Sequence, residues 1–179
     1  MNLSKPPMTI AGAVCGAVSV VLGVVAIALP KWVVLDVGLA EVGFGLWRAC
    51  ASVSSEGGVI CKSYDQTPGW LIATSAIEVA AICEIGLAAS LAFLHIFIAK
   101  NNKVTGKVAG PSAVFGGLLM IVGAIVWAVK YKDEPEIAIC SLSVGFILAI
   151  VSAILSLIAG ILLFLGWRSE SREQPHVMF

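Results

Sequence analysis

The chain has 179 residues, 59% of them hydrophobic and 12% charged, with a mean hydropathy of +1.01, a composition that excludes an ordinary water-soluble domain. Lysine plus arginine and aspartate plus glutamate number 11 each, so the formal net charge is zero. No basic face is visible, and nothing in the charge balance calls for a nucleic-acid partner.

A hydrocarbon core of ~30 Å is crossed by about 20 apolar residues in a helix. Four blocks meet that requirement, at about 8–29, 71–99, 109–129 and 137–167, which predicts a single four-span membrane domain in the lipid bilayer. The loop after the second block carries Lys100, Lys103 and Lys107 without an acid, the mark of a cytoplasmic loop. Both termini then lie inside the cell, and residues 30–70 form an extracellular loop.

The head, residues 1–7, has two adjacent prolines and one lysine and reads as a cytoplasmic lead-in. The first block offers a signal-like Ala26-Ile27-Ala28 site, but its apolar run exceeds the about 7 to 15 residues of a signal core, which favours a retained helix. Along it, Gly12, Gly16, Ser19 and Gly23 form a stripe of small residues on one face, suited to close helix packing within the chain's own bundle.

Leu29-Pro30-Lys31-Trp32 ends this helix, because proline cannot continue the ladder and tryptophan suits the headgroup level. The period then becomes two. Trp32 to Leu35 is rich in β-branched residues, and Val42, Phe44 and Leu46 alternate with Gly43, Gly45 and Trp47, which predicts strands. Ser54-Ser55-Glu56-Gly57-Gly58 is a turn cluster between Cys50 and Cys61. With Ser55 and Glu56 at the tip, the two cysteines face each other, and a disulfide there contributes about 3 kcal/mol in an oxidising compartment. Cys15, Cys83 and Cys140 fall in apolar blocks and read as small packing residues.

The second block is longer than a bilayer requires. Counting outward from Lys100 places Glu78 near the outer interface and Glu84 within the hydrocarbon, where an acid is costly and is a candidate for an ion path, against the alternative of a neutral or hydrogen-bonded packing residue. After the third block, the short loop 131–136 holds Asp133, Glu134 and Glu136, which read as a solvated turn rather than a metal site. In the fourth block Gly145, Ala149, Ala153, Ser156 and Gly160 make a second close-packing stripe. The cytoplasmic tail, 168–179, ends Val177-Met178-Phe179, a pattern that a PDZ scaffold can capture by strand addition.

Four blocks with Trp32, then Gly45-Leu46-Trp47, then Cys50 and Cys61, resemble the claudin and peripheral-myelin-protein superfamily. Leu29-Pro30-Lys31-Trp32, Cys61-Lys62-Ser63-Tyr64-Asp65 and Leu155-Ser156-Leu157-Ile158-Ala159-Gly160 look closest to claudins, as a divergent or invertebrate member. The resemblance implies an all-α membrane four-helix bundle carrying a small extracellular antiparallel sheet stapled by Cys50 and Cys61. It implies no catalysis and no cofactor. It further implies a plasma-membrane, cell-junction protein that self-associates laterally, meets a family member on the adjacent cell and forms a paracellular barrier or charge-selective pore. Lys62, directly after the second cysteine, and Asp65 are then candidate ion-selectivity residues, Lys62 favouring a barrier or weak anion preference.

The chain departs from claudins in its short second outer loop, which lacks their Phe-Tyr-x-Pro element. It also lacks an arginine near the start of the second span and cysteines after the second and fourth. An auxiliary subunit of an ion channel or receptor is the alternative reading. A membrane enzyme is disfavoured, since the chain has no C-x-x-C pair, H-E-x-x-H or G-x-S-x-G.

Overall fold

In the computed structural model, residues 7–36, 38, 40–53, 58–98, 103–134, 137 and 139–173 are described. Four long apolar helices form a bundle: α1 Pro7–Ala28, α2 Gly69–Phe97, α3 Lys103–Lys130 and α4 Val144–Glu173. All four are long and apolar enough to cross a membrane. At 29 residues α2 is about 43 Å long, more than the ~30 Å hydrocarbon thickness.

Between α1 and α2 lie β1 Val33–Asp36, β2 Ala40–Phe44, β3 Arg48–Val53 and β4 Val59–Ser63, and between α3 and α4 lies β5 Ser141–Leu142. They form one antiparallel sheet in the order β4-β3-β2-β1-β5. Three sequence expectations shift here. The third helix starts at Lys103 rather than 109, so Lys103 and Lys107 of the expected loop lie in its first turns. Leu46 is not a strand residue: β2 stops at Phe44, and Gly45 to Trp47 turn the chain against the end of α1. The fourth helix starts at Val144 rather than 137, because Ser141 and Leu142 pair with Val34 and Val33 to extend the sheet. The second inter-helix connection on this side therefore contributes a strand. The tip residues Ser54 to Gly57, together with Pro135, Glu136 and the tail end Val177-Met178-Phe179, lie outside the described residues.

The small-residue stripes form the bundle's interior seams. Gly12, Gly16, Ser19 and Gly23 are buried on α1, facing Leu163, Ala159 and Ser152 of α4 together with Ala89, Ile82 and Met120. In apolar surroundings helix association relies on close contact and on hydrogen bonds between helices. Both occur: the Ser19 and Ser152 hydroxyls each donate 2.8 Å to the other's backbone carbonyl, and the Ser156 hydroxyl donates 2.7 Å to the Ala113 carbonyl. Lipid-facing positions are large and apolar, such as Val21, Leu87, Phe115 and Ile161.

Gly145, at the start of α4, is packed so closely that a methyl group there would lie 2.6 Å from the Trp32 ring and 2.9 Å from the Lys31 carbonyl oxygen. Gly86, on α2, has open space in the same position. Gly145→Ala is therefore expected to destabilise the protein by about 1 to 3 kcal/mol. Gly86→Ala should leave the thermal midpoint unchanged or raise it. Parallel thermal unfolding of the two variants in detergent checks the contrast.

Candidate functional site

Proline at position 30 creates a specific chemical problem at the end of α1. The Ala26 carbonyl would normally accept from the N–H four residues on, and Pro30 has none. The Trp32 indole N–H takes that place, donating 2.8 Å to the Ala26 oxygen. One residue along, the Trp47 indole N–H donates 2.8 Å to the Ile27 oxygen. Two tryptophans thus cap two orphan carbonyls of one helix end.

Gly45 makes the second cap reachable. A side chain there would come within 2.7 Å of the Leu29 oxygen and of the Pro30 Cα, so only glycine lets the turn lie on the helix exit. Leu46 beside it is buried in the core, and the Gly45 carbonyl accepts 2.8 Å from the Tyr64 hydroxyl. Burial pushes the Tyr64 phenol up to about 12, so it remains a neutral donor at physiological pH.

Above the bundle the Trp32 ring meets Trp127 edge-on at 5.1 Å between centroids and Phe146 at 6.2 Å, while Trp70 meets Trp127 at 5.5 Å. Residues from α1's exit, α2, α3 and α4 therefore converge on one aromatic cluster. The Trp70 indole N–H donates 3.0 Å to Glu134 Oε1, joining the start of α2 to the second connection.

Cys50 and Cys61 are bonded, and they sit directly opposite each other in the β3–β4 register. The staple closes the hairpin that is farthest along the sheet from β5. Lys62 follows on the edge strand β4 and donates 2.6 Å to Asp65, with both side chains 76% exposed. The structure thus brings the two selectivity candidates together as a solvent-facing pair.

The acid enclosed by the bundle is Glu78, not Glu84. Glu84 is half-buried, whereas Glu78 is wholly buried, its carboxyl lies against Gly123, and neither oxygen has a hydrogen-bond partner among the described residues. Six residues separate the two, which places them on different faces of α2, a distinction that depth alone does not reveal. His95 pairs with Glu170 at 2.8 Å and Thr105 at 3.2 Å, tying α2 to α4 and α3. Cys140 is not in a helix but buried just before β5, and burial pushes its thiol up. Cys83 is exposed on α2 rather than packed. The described residues hold no cluster of three or more His, Cys, Asp or Glu placed to bind a metal ion.

A family model described as "PMP-22/EMP/MP20/Claudin family" matches residues 8–163, which takes in the sheet, the paired cysteines, the first three helices from residue 8 and α4 as far as Leu163. Among curated proteins none matches the chain.

Trp47→Phe keeps the ring and removes the N–H, leaving the Ile27 carbonyl without its donor. The expected cost is about 1 to 3 kcal/mol, read as a lowered thermal midpoint. The double change Cys50→Ser, Cys61→Ser is expected to cost about 3 kcal/mol. Dithiothreitol should lower the midpoint of the native chain and leave that of the double variant unmoved.

Proposed function

The chain belongs to the PMP-22/EMP/MP20/Claudin family of non-enzymatic four-span membrane proteins, and from that membership we propose that it is a structural component of cell–cell contacts. In this reading it assembles laterally with its own kind in the plasma membrane and forms a paracellular barrier or charge-selective pore. The observation that carries the reading is the capped helix end with its stapled sheet. Indole caps, aromatic cluster and disulfide fix a five-stranded surface on a membrane bundle, as a recognition or sealing surface requires.

Lys100 between α2 and α3, with Lys103 and Lys107 at the start of α3, supports placing both termini in the cytoplasm and the sheet outside, the side where a disulfide persists. The second connection lacks the Phe-Tyr-x-Pro element of claudins, which supports lateral association more than adhesion to the opposite cell. The tail Val177-Met178-Phe179 serves in this reading as a ligand for a PDZ scaffold.

Freeze-fracture imaging and transepithelial resistance, after expression in cells that lack junction strands, test the assignment. Continuous strands with altered resistance are the expected result. Good surface expression with neither would replace it by an auxiliary role on a channel or receptor.

Lys62 and Asp65 neutralise each other locally, so single changes should move selectivity in opposite senses. Lys62→Ala is expected to raise the cation-to-anion permeability ratio and Asp65→Asn to lower it, with the double variant close to the native protein. Dilution potentials across the monolayer read all three.

A further inference from the structure

Where β2, the connection leading to α2 and the facing ends of α2 and α3 come together, the fold leaves a cavity of about 150 Å³. Four aromatic residues, Phe44, Tyr64, Trp70 and Trp127, line it together with the aliphatic Pro68, Leu71 and Ile137, and its polar groups are Gln66 and the carboxylate of Glu134. Trp70 and Trp127 pack edge to face, with their planes at 65°, along one side of it. Among the described residues that line the space there is no lysine, arginine or histidine.

The chemistry of this lining selects a cation. Aromatic faces carry negative quadrupole potential and attract a cation held over them. Glu134 adds a formal charge at a fixed place, because its Oε1 is held 3.0 Å from the Trp70 indole nitrogen, and a carboxylate keeps further acceptor sites. The Tyr64 hydroxyl is committed to the Gly45 carbonyl at 2.8 Å.

The lining also decides which kind of cation. A hard ion such as calcium takes about 6 to 8 oxygen ligands, far more than one carboxylate and one amide supply. A bare ammonium loses strong hydration among rings that return few hydrogen bonds. An alkylated ammonium has diffuse charge and an apolar skin, which matches rings and one carboxylate. The volume agrees: at ~30 Å³ per water molecule it corresponds to about five waters, below the ~300 Å³ of a drug-sized pocket.

We propose that this cage, formed by Phe44, Tyr64, Trp70, Trp127 and Glu134, binds an alkylated ammonium group of the choline type. Two sources carry that group: a free choline-like cation, and the headgroup of phosphatidylcholine, whose level in the bilayer is that of the helix ends around the cage.

The test uses the full chain in nanodiscs of phosphatidylglycerol, with choline chloride added and tryptophan fluorescence read against sodium chloride at equal ionic strength. Saturable binding of choline, no binding of its uncharged tert-butyl isostere, and about tenfold weaker binding by Glu134→Gln are expected. Phe44→Leu, which keeps an apolar wall and removes a ring, is expected to weaken binding about fivefold and serves if Glu134→Gln fails to fold.

The second arm adds phosphatidylcholine or phosphatidylethanolamine to the nanodiscs. Loss of free-choline binding with phosphatidylcholine alone identifies the lipid headgroup as the source, and binding unaffected by either identifies the free cation. The proposal is overturned if choline gives no saturable signal, if the uncharged isostere binds equally well, or if folded Glu134→Gln and Phe44→Leu bind as the native chain does.

Discussion

The structure depends on how the last turn of α1 is closed. A helix leaving an apolar layer must find donors for its final carbonyls, and where water is scarce an unmet carbonyl costs several kcal/mol. Pro30 removes one donor outright. The indole of Trp32 replaces it, and to do so the chain must double back immediately, which fixes where β1 starts. From that point geometry propagates: the Trp32 backbone N–H donates to the Phe44 carbonyl at 2.8 Å, placing β2, and the Gly45 turn then brings Trp47 to the next carbonyl.

The same two residues serve another helix. The Lys31 carbonyl accepts from the Gly145 N–H at 2.8 Å, and the Trp32 carbonyl accepts from the Ser143 N–H at 2.9 Å. The first turn of α4 leaves N–H groups without intrahelical partners, and the exit of α1 supplies an acceptor for one of them. The α1 C-terminus and the α4 N-terminus are thus hydrogen-bonded through a single dipeptide. That arrangement explains why Gly145 tolerates no side chain and why β5 lies beside β1: the backbone entering α4 has to pass within hydrogen-bonding distance of Trp32.

Much of this was legible in the sequence, and the reason is that the signals are local. Apolar length identified the four helices, a change of period identified the strands, and Cys50 and Cys61 straddling a glycine-rich turn identified a pair. Trp32, Gly45, Leu46 and Trp47 were visible as a motif, but the indole-to-carbonyl bonds that give it meaning connect residues 6 and 20 positions apart, which periodicity does not report. Ile137 to Ser143 is as apolar as a span, so apolar length alone starts the fourth helix at 137, seven residues before its first helical residue, Val144. Its two-residue strand exists only because β1 offers a free edge. Glu84 drew attention through depth, whereas enclosure depends on which face of α2 meets α3, and only Glu78 faces Gly123. Glu134 looked like part of a solvated acidic turn, since nothing local announces that Trp70 stands 64 positions away in the chain.

The exposed pair formed by Lys62 on β4 and Asp65 just after it shows how little a charged surface does until something encloses it. Lys62 and Asp65 are both 76% exposed, so in open electrolyte their attraction is worth at most about 1 kcal/mol, and their field fades within a Debye length of ~8 Å. An ion passing at that distance meets a small, screened dipole. Confinement changes the arithmetic, because low-dielectric walls on both sides reduce screening and concentrate the same field. One chain supplies one such wall, a sheet whose edge strand β4 is exposed along its whole length. Under the proposed function, discrimination between ions at Lys62 therefore needs a second wall, which a second copy of the sheet would supply, each sheet being held at one edge through Trp32 and β5 and stapled at the other by Cys50 and Cys61.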